Sequence, residues 1–231
     1  MTQAKFTGFS KKTISFLKGL QKNNNKIWFQ NHRKDYDEEL MDPAKIFVVE
    51  MGQKLLSISP GIESEPRVNR SIFRINRDIR FSKDKRPYKT WLALRFWEGA
   101  GPKVSPCFYF HLSGKELVLG YGLYMMDKPY LEEYRKSLDN PRFAKELVAI
   151  QKKLKQKGIE LEGETYKQVP RGFAKDHPQA ELLKHSGLYA GSSYKLPKEL
   201  YKPGLVGFCM KEYKKYAALH AWTVKMVKRA K

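Results

Sequence analysis

The stretch Arg74–Thr90, RINRDIRFSKDKRPYKT, gathers Arg74, Arg77, Arg80, Lys83, Lys85, Arg86 and Lys89 against two acids, Asp78 and Asp84. Guanidinium and ammonium groups at that density can present a fixed set of donors to phosphate or carboxylate oxygens. Ile75, Ile79, Phe81 and Tyr88 are interleaved with them, so the window has the composition of a folded segment, not of a charged tail. Read with period two, Phe73, Ile75, Ile79 and Phe81 share one side, with Arg77 breaking the apolar row. Arg74, Asn76, Asp78, Arg80 and Ser82 share the other, whereas period three aligns Arg74, Arg77 and Arg80. Either way like charges converge, which is costly unless acids or a bound anion neutralise them. In one reading Asp78 and Asp84 pair with arginines in a structural network. In the other, favoured here, the surplus cations hold a phosphate-bearing ligand, through Arg74, Arg77, Arg80, Ser82, Lys83, Lys85 and Lys89.

Ser82-Lys83-Asp84-Lys85 has turn composition, and exposed N–H groups in such a turn can form a small anion nest. Arg86 precedes Pro87 and is pushed to extended geometry. Neither a GxxxxGK[ST] phosphate loop nor a GxSxG nucleophile elbow occurs. Gly120-x-Gly122 reads as close backbone packing within a strand. Cys107, after a proline in an apolar strand, reads as an inert filler. His111 shares a strand face with Tyr109 and is the candidate general base, with Asp78 and Tyr88 as further acid–base candidates. The plainer alternative is a hydrogen-bonded histidine on a sheet surface. Asp78, Asp84, His111 and His177 lack metal-ligand spacing, so neither metal nor cofactor is expected.

The block Arg77–Lys89 resembles an RDxRFSKDKxPYK signature of a widespread bacterial family of unknown function. Landmarks on both sides extend the resemblance over almost the whole chain: Asn24-Asn25-x-x-Trp28-Phe29, Tyr109-Phe110-His111, Gly120-x-Gly122-x-Tyr124, Pro170-Arg171-Gly172-Phe173 and His177-Pro178. The resemblance implies a single-domain fold and no mechanism.

The elements that must position the window follow from periodicity. Residues 10–22 read as an amphipathic helix with Ser10 as N-cap and Ile14, Phe16, Leu17 and Leu20 inward. Asn23-Asn24-Asn25 ends it. A second helix is expected from Trp28 to about Leu40, with Trp28, Phe29, His32 and Tyr36 as core. Asp42-Pro43 opens a third. A β-rich centre is expected from about Val68, with strands at 90–97, 105–112 and 117–126. Gly99–Pro102 and Ser113-Gly114-Lys115 make the turns, and Phe108 and Phe110 face opposite to Cys107, Tyr109 and His111. Helices at 129–137 and 141–157, an irregular connector at 159–178, a short helix at 180–185, a possible strand at 189–196 and a closing helix at 205–228 complete the chain. The expectation is one α+β domain over 1–231, helical at 1–65, β-rich at 66–127 and mostly helical afterwards. In it an antiparallel meander is packed by N-terminal and C-terminal helices.

Composition sets the partners. With 41% apolar and 13% aromatic residues the chain can bury a sizeable core. Its net charge of +21 is concentrated: +7 falls in 66–90 and +12 in 140–231, against +2 in 1–65 and none in 91–139. Such a charge favours polyanions, nucleic acid foremost, although no RNP, helix-turn-helix or zinc-finger signature is present. Two cysteines, 107 and 209, make no disulfide framework. No leader-like apolar segment and no membrane-length apolar run occurs, and a cytoplasmic location is expected. Three roles are open at this point: a polyanion-binding protein, an enzyme clamping a small anionic substrate, and an interaction protein with an ion-paired arginine network.

Overall fold

The computed structural model describes residues 4–163 and 165–230. Helix α1 (Lys11–Lys22) starts at Ser10, whose hydroxyl accepts from the Thr13 N–H while Thr13 reciprocates on the Ser10 backbone. Its apolar face buries Ile14, Phe16, Leu17 and Leu20. Helix α2 (Lys26–Asn31) follows, capped by the Asn25 side chain on the Trp28 N–H at 2.9 Å. The single helix expected to about Leu40 is instead broken. After α2 come the short α3 (Arg33–Asp35) and a π-helical turn over Tyr36–Met41, which runs into α4 (Asp42–Leu55). The wider π turn carries the Glu39 carbonyl to the buried Thr13 hydroxyl, which donates to it at 2.6 Å.

Strands β1 (Trp91–Trp97), β2 (Cys107–Ser113) and β3 (Glu116–Leu123) form the meander. Two residues, Gly114 and Lys115, separate β2 from β3. Helices α5 (Lys128–Asp139) and α6 (Pro141–Lys155) follow, capped by Asp127 and Asn140. The connector holds a strand that periodicity does not mark, β4 (Leu161–Glu162), and then the short α7 (Ala180–Leu183). Strand β5 (Leu188–Lys195) pairs antiparallel with β4, setting Leu161 against Ala190. Together the described strands make one antiparallel sheet in the order β1-β2-β3-β5-β4, an α+β fold. The closing helix is interrupted: α8 (Leu205–Tyr213) and α9 (Ala217–Arg229) are joined by a 3₁₀ turn at Lys214–Tyr216.

The chain separates into two compact units. The first comprises the described parts of Met1–Phe96, Tyr109–Leu119 and Ser193–Glu212. Its core joins Phe9, Phe47 and Phe110, whose ring centroids lie 5.0–6.0 Å apart, so α4 and the segment leading into α1 pack on β2. The second comprises the described parts of Trp97–Phe108, Gly120–Ser192 and Tyr213–Lys231. There Phe108 packs on Tyr121, Tyr213 and His220, and Trp222 of α9 donates to the Phe143 carbonyl of α6 at 3.0 Å. Within this unit β3 and β5 run backbone to backbone. A Cβ on Gly120 would stand 2.7 Å from the Ala190 carbonyl oxygen, and one on Gly122, at φ +148°, would stand 2.2 Å from that of Leu188. Among the described residues no helix is long and apolar enough to cross a membrane.

Candidate anion-binding site

In the first unit the basic window is not a strand. Residues 66–90 are held as an extended loop by isolated bridges, Ile72 to Leu94 and Asn76 to Tyr88. Its closing arm is fixed by a side chain: Asn24 donates to the Tyr88 carbonyl at 2.8 Å and accepts from the Tyr88 N–H at 3.0 Å. The carboxamide therefore supplies both hydrogen bonds that a neighbouring strand would make. The Tyr88 ring is buried and stacked on Phe29 at 4.3 Å. Arg77, which breaks the apolar row in sequence, is half-buried and donates to the Arg86 carbonyl at 2.9 Å.

The two aspartates are both used. Asp78 is held by Arg80 at 2.7 Å, and this pairing, aided by the Arg80 backbone N–H, lowers its carboxyl to about 2. Asp84 lies between Arg86 at 2.7 Å and Arg77 at 2.9 Å, and hydrogen bonds from Arg86 first, then Arg77, hold it well below the usual carboxylate range. The Asp78–Arg80 and Asp84–Arg86 pairs are short in sequence and open to water, so they fix side-chain directions more than they stabilise the fold. A carboxylate held as low as Asp78 is a weak proton acceptor near neutrality.

The remaining cations are arranged differently. The side chains of Arg74 and Lys83 are exposed and make no ion pair or hydrogen bond among the described residues. Lys85 donates to the Ile79 carbonyl at 3.0 Å, and Lys89 to the Arg74 carbonyl at 2.9 Å. The Lys89 ammonium sits over the rings of Phe73 and Trp91, 5.5 and 5.0 Å from their centroids. Burial lowers its pKa, and so do the neighbouring charges of Arg74 and Arg95. Arg95 itself is buried on β1, with its guanidinium 4.4 Å over Phe73 and its Nε donating to the Arg70 carbonyl at 2.9 Å.

Two open hollows flank Tyr88. One, of about 390 Å³, is lined by Phe29, Tyr36 and Ile75 together with Arg33 and Arg74. The other, of about 410 Å³, is lined by Arg77, Asp84, Arg86 and Lys89 with Asn24 and Trp91. His111 lines neither. It stacks on Trp91 at 4.8 Å and meets the Tyr109 hydroxyl at 3.3 Å, and burial lowers its pKa against the opposing pull of Glu116. The expected face alternation of β2 is present: Phe108, Phe110 and Leu112 are buried, whereas Cys107, Tyr109 and His111 are half-buried.

Asn24, Phe29, Arg33, Trp91 and Arg95 belong to this surface although residue types in the window do not point to them. The Asn-Asn-x-x-Trp-Phe landmark was the available signal for the first two. Two sequence expectations need correction. Trp28 is half-buried, its indole lying against Gly19 and stacked on His32 at 3.9 Å, so it covers the core without entering it. Phe81, assigned to an apolar side by alternation, is 95% exposed. Among the described residues no group of three or more His, Cys, Asp or Glu side chains converges in metal-binding geometry.

No curated protein matches the chain. A family model does, over residues 12–222, a span that takes in the window, Asn24, both hollows and nearly all of both units. The chain belongs to the conserved hypothetical protein family DUF2461.

Proposed function

We propose that the first unit binds a phosphate-rich polyanion, nucleic acid foremost, through the loop Arg74–Lys89. The observation that carries this reading is the cationic pair Arg74 and Lys89. Arg74 makes no close ion pair among the described residues, its attraction to Asp78 being shared with the Arg80 that grips that carboxylate, and the charges that act on Lys89 are the cations Arg74 and Arg95. An anion placed there relieves the repulsion that acts on Lys89. Arg77 and Arg86 add donors at the rim of the adjoining hollow, oriented by Asp84. The hollows are broad and open, as suits a chain of phosphates crossing a surface better than a small substrate shut away from water.

The test is fluorescence anisotropy of labelled oligonucleotides over a salt series. Binding is expected at low salt and should fall steeply as salt rises, because each phosphate contact releases counterions. Arg74→Gln combined with Lys89→Gln should weaken binding and flatten the salt slope by about two contacts. Absence of binding by the wild-type protein at low salt overturns the reading.

A further inference from the structure

We propose that the strand this loop takes is single, and that Phe81 is the platform on which one of its unpaired bases stacks. This inference rests on the polyanion reading above and names the ligand class.

Phe81 is the most exposed large apolar side chain among the described residues. A single exposed apolar side chain is ordinary on a protein surface, and what singles this one out is the turn and the cations that present it. The position is a built one. The Ser82 N–H bonds the Ile79 carbonyl at 3.3 Å, closing a turn with Arg80 and Phe81 at its two central positions. The Lys85 ammonium donates to the same carbonyl at 3.0 Å and braces the turn from behind. Arg80 is gripped by Asp78 and lies 5.7 Å from the centre of the Phe81 ring. The ring is thus presented at the apex of a turn, with a fixed guanidinium beside it and the ammonium of Lys83 two residues away.

That combination matches the chemistry of an unpaired nucleotide. The flat ring offers a π face to a base, and the flanking cations meet the phosphates on either side of it. A duplex withholds its base faces except at its ends, and polyphosphate has none. Both are therefore left with the charge contacts alone. An anionic membrane surface could also meet lysines and an exposed phenylalanine, and it forms an arm of the test.

The experiment compares wild type, Phe81→Ala, Phe81→Leu and Phe81→Trp, using a labelled thymidine oligomer, a duplex of equal length, polyphosphate and vesicles containing anionic lipid. Wild type should bind the single strand more tightly than the duplex. Phe81→Ala and Phe81→Leu should weaken single-strand binding about tenfold and leave duplex and polyphosphate binding unchanged, whereas Phe81→Trp should retain it. The thermal midpoint should not move, since the ring packs on nothing that unfolding would expose. Equal binding of all three polyanions, unaffected by Phe81→Ala, overturns the stacking inference and leaves the basic-loop reading standing. Failure to bind any of the three at low salt removes both. Binding of vesicles but not of the oligomer, with loss in Phe81→Ala, assigns the ring to a membrane surface and overturns the inference.

Discussion

The loop Ile75–Lys89 of the first unit and the cluster around Glu98 in the second join carboxylates to nitrogen partners under opposite conditions. In the loop, the pairs Asp78–Arg80 and Asp84–Arg86 are two residues apart and open to water. In the cluster, Glu98 meets His220 at 3.2 Å and Lys228 at 3.7 Å with most of its side chain covered. His220 reaches the Tyr121 hydroxyl at 3.1 Å, and that hydroxyl lies 2.5 Å from Thr223 Oγ1. Burial lowers the His220 pKa even though Glu98 pulls it up. The polar groups of such a cluster that lie inside a core are tied to folding, because they lack water as a substitute partner. Pairs that water can replace leave the cations available for an outside anion. Location, not residue type, separates the structural charges of this protein from those proposed to function.

The largest effect that can break this comparison is Glu98→Ala. It strands His220 and its hydrogen-bonded neighbours, and should lower the unfolding free energy in denaturant by about 3 kcal/mol. A loss smaller than about 1 kcal/mol would place the cluster with the loop as replaceable polarity.

Acid titration sharpens the contrast. His220 and, with it, His111 and His185 have pKa values lowered by burial, so the unfolded chain takes up protons first as pH falls. Stability held above the ordinary histidine value should begin to fall below pH about 6.5. Asp78 and Asp84 are also lowered, so their contribution is present above the ordinary carboxylate value and is lost only below pH about 4. Thermal midpoints from pH 8 to 3 should show the upper step clearly and the lower one faintly. His220→Gln should shrink the upper step and leave the lower one in place.

The smallest effect is expected from Arg80→Gln, which should leave the thermal midpoint unchanged, while added polyphosphate raises the wild-type midpoint with the logarithm of its concentration and raises that of the variant less. A marked loss of stability without any anion effect in wild type would show the loop to be architecture.

Much of the frame was legible in the sequence because its signals are local. The Ser10 N-cap, the helix start at 141, the alternation through Phe108 and Phe110, and the Ser113-Gly114-Lys115 turn each declare themselves within a few residues. What could not be read depends on distant partners. Tyr121 and His220 lie 99 residues apart, and Asn24 reaches across 64 to stand in for a strand beside Tyr88. The π turn at Tyr36–Met41 keeps Tyr36 and Leu40 inward but spoils the period expected of one straight helix. Alternation set Phe81 on one side with Phe73, Ile75 and Ile79 because it assumes a strand, and a turn at Arg80-Phe81 breaks that alignment. In the window itself, the charge surplus was visible in the sequence, but the division between paired and unpaired cations was not.

Gly122 carries a consequence for how this sequence can drift. Both its left-handed backbone and the 2.2 Å approach to the Leu188 carbonyl oxygen forbid a side chain, and no single change at a neighbour relieves both. A saturation library selected for folded protein should therefore be empty at position 122 apart from glycine. At Phe81 the same selection should accept almost anything. A variant that passes a fold screen can thus have lost the proposed ligand without trace, and only a binding screen will show whether position 81 is constrained.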